Sequence, residues 1–399
     1  MIGRIDCRPY RLPFRRPFVT SAGTHSVREG YHVRVVGGDG RVGYGEAAPL
    51  PGHGGEALAD VLPALGALAR DLRDLVGEGG GAPEIDQDRP EGWRRLMDRL
   101  RRRHAGAPCA CAGIDLALAD LAARRAGLSL ARWLSPRARG SVSVNAVIGT
   151  VGPDVAAARA RAAVAAGFTA IKVKVGAAVG GEGGARGDHD GDAIAAADVL
   201  RVAAVRQAAG PAVAIRLDAN GAWAPDRAVA MLRLLAPFGI AYVEQPVPGR
   251  DAGADVDALA HVRAASPIPV AADEILAVPG AAERVLAVGA ADVLVVKPAL
   301  MGGLAAAWDL AARAARLPRP PVVVVTTALD SAVGRAGALH LAAALPGADV
   351  ACGLATGDLL AEDVAVLPAV EGGVLAVPRG PGLGAGLAPD ANDAWITVG

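Results

Sequence analysis

Ala170–Gly176 reads AIKVKVG: an apolar, β-branched run carrying lysines at alternate positions and closed by a glycine. Alternation and β-branching predict a strand, and residues i and i+2 of a strand face the same side. Lys172 and Lys174 therefore point the same way. The same design returns downstream. RLDANGAW (Arg216–Trp223), YVEQP (Tyr242–Pro246), VAADEI (Val270–Ile275) and VVKPALMGG (Val295–Gly303) each end an apolar run on a charged residue. Lys174 to Asp218 is 44 residues; the next steps, to Glu244, Asp273 and Lys297, are 26, 29 and 24. Each of the last three is about one strand-plus-helix unit, so successive groups come from neighbouring parallel strands.

Working outward, eight strand candidates follow Ser141: Ser141–Ile148, Ala170–Val175, Ala212–Leu217, Ala241–Val243, Val270–Ala272, Val293–Val296, Val322–Val325 and Val350–Gly353. Ala-rich helical runs such as Pro153–Ala166, Asp192–Ala209 and Pro225–Leu235 lie between them. The pattern predicts an α/β fold, a TIM-type (β/α) barrel, over 140–365. An open doubly wound sheet is the alternative, but no GxGxxG follows a strand. Before the barrel, strands at Arg4–Leu12, Tyr31–Val36 and Arg41–Glu46 precede helices at Glu56–Val76, Glu91–Arg103 and Ala110–Arg125. This predicts an α+β module over 1–130. Gly77–Asp88 reads as a loop and Gly176–Gly191 as a flexible insertion. The Gly/Pro-rich segment 366–399 is expected to return to the first module.

Composition narrows the function. Lys+Arg and Asp+Glu both number 41, which argues against a polyanion partner, so no nucleic acid is expected. Hydrophobic residues make up 52%, which excludes a disordered chain. No uncharged apolar run reaches membrane-span length, and the N-terminus lacks a signal-peptide stretch, so no membrane contact and a cytoplasmic location are expected. Cys7, Cys109, Cys111 and Cys352 match neither a disulfide framework nor zinc spacing and read as buried thiols. Of the 41 basic residues only three are lysines: Lys172, Lys174 and Lys297. In an Arg-rich chain a lysine persists where a group able to lose its proton is needed.

The three acids Asp218, Glu244 and Asp273, gathered at one barrel mouth, cannot all stay ionised without a cation. All-oxygen ligation favours a hard ion, Mg2+, for which Mn2+ can stand in. Lys172 and Lys174 side by side, near a divalent cation, are expected to depress one another's pKa and leave a neutral amine as general base. Lys174 is nearer the strand end and is the expected base, with Lys172 as its electrostatic partner. Lys297 stands across the mouth. A Schiff-base lysine is the rival reading, and the acid triad argues against it.

These motifs together resemble the enolase superfamily, in the subgroup of the muconate-lactonising enzymes. The resemblance implies a capping domain and a modified TIM barrel, (β/α)7β. It also implies removal of a proton α to a carboxylate, with Mg2+ holding the enediolate. By position Asp218, Glu244 and Asp273 match the metal ligands, Lys174 the base and Lys297 the lysine of the opposite face. Glu274 reads as a buttress for the base. GYGEAAPLPGHGGE (Gly43–Glu56), TTALDSAVGRAGALHLAAAL (Thr326–Leu345) and CGLATGDLLAEDV (Cys352–Val364) resemble the subgroup's dehydratases. Dipeptide epimerases of the subgroup usually carry Asp-x-Asp at the end of strand eight, where this chain has Gly353-Leu354-Ala355. N-acylamino acid racemisation, dipeptide epimerisation and muconate cycloisomerisation remain alternatives, as does a barrel kept only for binding.

Expected substrate contacts are Thr326 and Thr327, whose hydroxyls suit a carboxylate, together with Asn220, Gly353 and His53. The segments Arg15–His25 and Pro51–Gly55 read as loops over the mouth, the Gly-rich second one as a lid. The other histidines show no i,i+4 pairing and read as structural or surface groups. The expected partner is a small-molecule carboxylate substrate; homo-oligomerisation is left open, since subgroup members vary.

Overall fold

The computed structural model describes residues 2–20, 23–77, 86–177, 191–347, 349–384 and 395–399. Most of the Gly77–Asp88 loop and of the Gly176–Gly191 insertion lies outside the described residues.

The chain opens with a long antiparallel hairpin, β1 (Ile2–Thr20) and β2 (Gly23–Gly37), followed by β3 (Val42–Ala47). Helices α1 (Leu58–Gly77), α2 (Pro90–Arg103), α3 (Pro108–Arg125) and α4 (Leu130–Leu134) come next. The strands run longer than their apolar cores, because hairpin pairing carries the ladder out into polar sequence. α3 is buried from Cys109 to Ala123, which explains its unbroken run of small and apolar residues. The sheet lies almost on its backbone: a Cβ on Gly43 would fall 2.1 Å from Ala117 O, and one on Gly45 2.0 Å from Gly113 O. Only glycine permits this approach.

Two short strands follow, β4 (Ser141–Ser143) and β5 (Ala146–Ile148). The alternating units are then α5 (Pro153–Ala165), β6 (Ala170–Lys174), α6 (Gly191–Ala209), β7 (Ala214–Asp218), α7 (Pro225–Leu235) and β8 (Ile240–Glu244). They continue through α8 (Ala254–Ala265), β9 (Val270–Ala272), α9 (Ala281–Val288), β10 (Val293–Val296), α10 (Leu304–Ala314), β11 (Val322–Val325) and α11 (Ala332–Ala344). The strands β5 to β11 form one parallel seven-stranded sheet in sequence order. The short β12 (Val370–Glu371) pairs with β13 (Val374–Ala376), which pairs with β4, and β14 (Ile396–Thr397) pairs with β1. The last residues thus return to the N-terminal sheet.

Two strand expectations need correction. Ser141–Ile148 is not one strand: β4 leaves for the antiparallel β12–β13 sheet and only β5 enters the barrel. The eighth strand is reduced to single bridges, Val144 with Cys352 and Thr326 with Gly353. Those bridges still close the circle, since Asn145 N donates to Cys352 O (3.1 Å) and Gly353 N to Val325 O (2.9 Å).

Carboxylates of the N-terminal module hold barrel helices by their first turns. Asp115 of α3 accepts from Leu304 N (2.6 Å) at the start of α10. Glu46 of β3 accepts from Ser331 N (2.9 Å), Ser331 Oγ (2.5 Å) and Gly334 N (2.8 Å) at the start of α11, and from Tyr10 OH (2.5 Å). A carboxylate satisfies free N–H groups there and meets the positive helix end. All four cysteines are free and buried, as expected. Among the described residues no helix is long and apolar enough to cross a membrane.

Candidate active site

Register sets the site. Lys174, Asp218 and Glu244 are paired across β6, β7 and β8, each the last residue of its strand. Asp273 follows β9 directly and Lys297 follows β10 directly. One layer deeper, Lys172 is level with Arg216 and Tyr242. The five expected charged groups therefore stand at the C-terminal ends of five consecutive strands. Just behind them, the fully buried Asp198 and Arg201 of α6 hold the chain after β6, through Gly176 N (2.7 Å to Asp198) and Lys174 O (3.0 Å from Arg201).

The ammoniums and carboxylates interleave. Lys172 Nζ lies 2.9 Å from both Asp218 Oδ2 and Glu244 Oε1. Lys174 Nζ donates to Asp218 Oδ2 (2.6 Å) and Asn220 Oδ1 (2.5 Å), and Lys297 Nζ lies 2.6 Å from Asp273. Asn220 Nδ2 donates to Glu274 Oε1 (2.8 Å), so Glu274 is linked to Lys174 through Asn220.

For Lys172 the direction is the reverse of the expectation. Burial lowers its pKa, but Asp218, Glu244 and Asp273 outweigh burial and raise it well above the ordinary lysine value. Lys297 moves the same way, burial being overcome by Asp273 and Glu274. Sequence reasoning counted the like charge of Lys174 beside Lys172 and missed how closely the acids wrap Lys172. Burial pushes Asp218 up, yet Lys172 and Lys174 hold it well below the usual carboxylate range. Burial and then neighbouring Glu274 push Asp273 well up, against the pull of Lys297.

Among the described residues, no three His, Cys, Asp or Glu side chains stand ready-spaced around a metal ion. The reason is visible: Lys172 sits between Asp218 and Glu244, and Lys297 draws on Asp273. The donor set nonetheless fits a hard cation. Asp218, Glu244 and Asp273 are 1%, 2% and 3% exposed. With Glu274 they outnumber the three lysines, and Glu274 adds to the effect of burial in pushing Asp273 up. A divalent cation neutralises such a surplus.

The other expected residues are placed as follows. Thr326 and Thr327 follow β11 and are buried, but Thr326 Oγ1 donates to Gly353 O (2.9 Å), and Thr327 Oγ1 lies 2.9 Å from Thr356 Oγ1. Thr326 and Gly353 thus form part of the barrel closure. His53, from the turn after β3, reaches the mouth, its Nδ1 3.8 Å from Glu274 Oε1. The Arg15–His25 segment, expected as a loop, is instead the end of the first hairpin: β1 runs to Thr20 and β2 starts at Gly23, with residues 21–22 outside the described residues.

Sequence reasoning missed two residues. Gln245, fully buried at a positive φ of 38°, accepts from Asp273 N (3.0 Å) and donates to Val247 O (2.9 Å), fixing the backbone that presents Asp273. Its only signal was a polar residue between Glu244 and Pro246. Arg216 underlies the site, donating to Ala351 O (2.6 Å) with its guanidinium 5.0 Å from the Tyr242 ring centre. Its place two residues before Asp218 put it on the same strand face.

Two family models match the chain: Enolase C-terminal domain-like over residues 155–391, and the mandelate racemase / muconate lactonizing enzyme N-terminal domain over residues 7–134. The chain belongs to the enolase superfamily. Within the superfamily it is 44% identical over 248 residues to the o-succinylbenzoate synthase of Thermobifida fusca, covering 62% of this chain and 69% of that protein. It is 44% identical over 207 residues to that of Mycobacterium marinum, covering 50% and 59%. Among solved structures, the L-Ala-D/L-Glu epimerase of Bacillus subtilis superposes with a TM-score of 0.79 at 28% identity, over 97% of this chain and 99% of that one. A dipeptide epimerase of Cytophaga hutchinsonii, complexed with Mg and a dipeptide, superposes at 0.80 with 26% identity over the full length of both.

Proposed function

We propose that the chain is an o-succinylbenzoate synthase, a carbon–oxygen lyase of menaquinone biosynthesis. It dehydrates 2-succinyl-6-hydroxy-2,4-cyclohexadiene-1-carboxylate in a syn sense. The observation that carries a proton-abstraction site is the register of Lys174, Asp218 and Glu244 at one height on adjacent strands. The synthase-named relatives support this substrate over others.

Asp218, Glu244 and Asp273 would hold Mg2+, or Mn2+ in its place, and the ion would supply positive charge beside the substrate carboxylate. Lys174 takes the α-proton. Drawing the acids toward a cation loosens their grip on the lysines and lowers the cost of an unprotonated amine. Lys172 holds Asp218 and Glu244 in place, and Lys297 faces the developing dianion from the opposite side. Lys174 then returns its proton to the departing hydroxyl, releasing water and an aromatic ring. Thr327 and the backbone around Gly353 would take the succinyl end. The chain divides accordingly into a capping domain over 1–130, a catalytic barrel over 140–365 and a returning segment over 366–399.

A second reading, racemisation of N-succinylamino acids or epimerisation of dipeptides, is favoured by one observation: Lys174 and Lys297 end strands β6 and β10, so an ammonium stands on each side of the mouth. The test is loss of the cyclohexadiene absorbance with the purified protein and Mg2+, with an EDTA control. Rapid, EDTA-sensitive loss with o-succinylbenzoate as product supports the synthase. No turnover, with racemisation of N-succinylamino acids in its place, selects the second reading.

A further inference from the structure

His53 is nine-tenths buried, and neither ring nitrogen has a hydrogen-bond partner among the described residues. Buried polar groups are rarely left this way, and where they are, an absent ligand is a physical explanation. The ring is also firmly placed. Gly52, Gly54 and Gly55 all hold positive φ (80°, 98° and 94°). A Cβ on Gly54 would stand 3.2 Å from Ala277 Cβ, and one on Gly55 2.7 Å from Cys109 Sγ. The turn is thus pressed against both α3 and the segment after β9, with His53 projecting between them into the mouth.

The neighbours define what the ring can do. Its Nδ1 faces Glu274 Oε1 at 3.8 Å, and the second oxygen of Glu274 is itself buried without a partner. The negative charge of a carboxylate on that side favours the tautomer with its proton on Nδ1, which leaves Nε2 as an acceptor. Burial, then the charge of Lys297, hold the ring's pKa down to about 4, so it is neutral near pH 7. A neutral imidazole with a free lone pair, beside the lysines and within the site, calls for a hydrogen-bond donor on the ligand.

We propose that His53 accepts a hydrogen bond from a donor group carried by the substrate beside its reacting carbon. Resting on the synthase reading, that donor is the ring hydroxyl that is lost. Carboxylate and ketone groups of the substrate only accept, so the hydroxyl is the one partner Nε2 can take. The aromatic product has no hydroxyl. His53 therefore grips substrate and not product, which separates binding from release.

The test is steady-state kinetics of His53→Leu and His53→Gln with the hydroxycyclohexadiene substrate, alongside inhibition by o-succinylbenzoate, with urea midpoints to confirm folding. Loss of one neutral hydrogen bond predicts a KM about tenfold higher for His53→Leu, with product inhibition unchanged. His53→Gln, whose amide oxygen accepts, recovers most of the loss. An unchanged KM, a parallel weakening of product binding, or a Gln variant no better than Leu overturns the proposal. If the wild-type protein leaves the diene untouched and racemises N-succinylamino acids, the synthase reading fails on its own. His53 is then tested on wild-type protein with an N-succinylamino acid and its N-methylated amide. Equal KM for the two overturns the proposal, and a KM about tenfold higher for the methylated compound supports it.

Discussion

Asn220 Oδ1 accepts from Lys174 Nζ at 2.5 Å, on a backbone turned to a φ of +44°. Asn tolerates that left-handed conformation better than other side-chain-bearing residues, and its amide offers an acceptor to Lys174 and a donor to Glu274. One residue therefore solves a backbone and a side-chain problem together. Asn220→Ala is expected to lose about 1 kcal/mol of stability and to lower kcat more than it raises KM. Asn220→Gly restores the stability, because glycine accepts the positive φ, but not kcat. Urea denaturation and steady-state kinetics on the two variants separate these roles.

Lys174→Ala and Lys174→Arg are both expected to lower kcat by about a thousandfold, since arginine keeps its proton. Mg2+ affinity, measured by calorimetry, is retained in the arginine variant. Near-normal turnover by Lys174→Arg would show that the position supplies charge alone.

Lys297 separates the two chemistries. In the dehydration, Lys174 both takes and returns the proton, so Lys297→Ala slows turnover but leaves exchange of the α-proton with deuterated water measurable by NMR. In a racemase, Lys297→Ala abolishes exchange for one enantiomer and retains it for the other.

Glu46→Ala strips an acceptor at once from Tyr10 of β1 and from Ser331 and Gly334 at the start of α11. A loss of about 3 kcal/mol is expected. Glu46→Gln keeps an acceptor and loses less. Urea unfolding curves give both values.

His32 and His340 are fully buried, and burial lowers each to about 4. In the unfolded chain both take a proton near pH 6.5. The unfolded state thus binds more protons between about pH 6.5 and 4, so stability is complete above that window and falls as pH drops through it. His340 accepts from Ala131 N (3.1 Å) through Nδ1, which places its own proton on Nε2, facing Leu383 O. Buried Asp115 and Asp330, raised to about 8 and about 7, act in the opposite direction over this range, so the test is a comparison: unfolding free energies at pH 7, 5.5 and 4.5 are expected to fall less in His340→Gln than in the wild-type protein, and identical profiles would contradict the buried neutral form.

Much of the architecture was legible in the sequence because it is periodic. Alternation placed Lys172 and Lys174 on one face, and the spacing from Asp218 to Lys297 put four groups on consecutive strands. Those statements need only the two-residue repeat of a strand and the length of one repeating unit. The split of Ser141–Ile148 and the reduced eighth strand were not legible, since pairing partners are chosen by distant segments such as β13 and Cys352.

What the sequence by itself determined is which side chains reach the mouth: the charged residues at the strand ends, and three lysines kept in a chain otherwise committed to arginine. What only the tertiary structure decided is how those groups pair. Lys172 is wrapped by carboxylates more closely than by its fellow lysine, which reverses its expected pKa. Glu274 reaches Lys174 through Asn220, and His53 meets Glu274 from 221 positions away in the chain. Electrostatic and hydrogen-bond energies depend on distances of a few ångströms, and residues far apart in sequence acquire such distances only when the chain has folded.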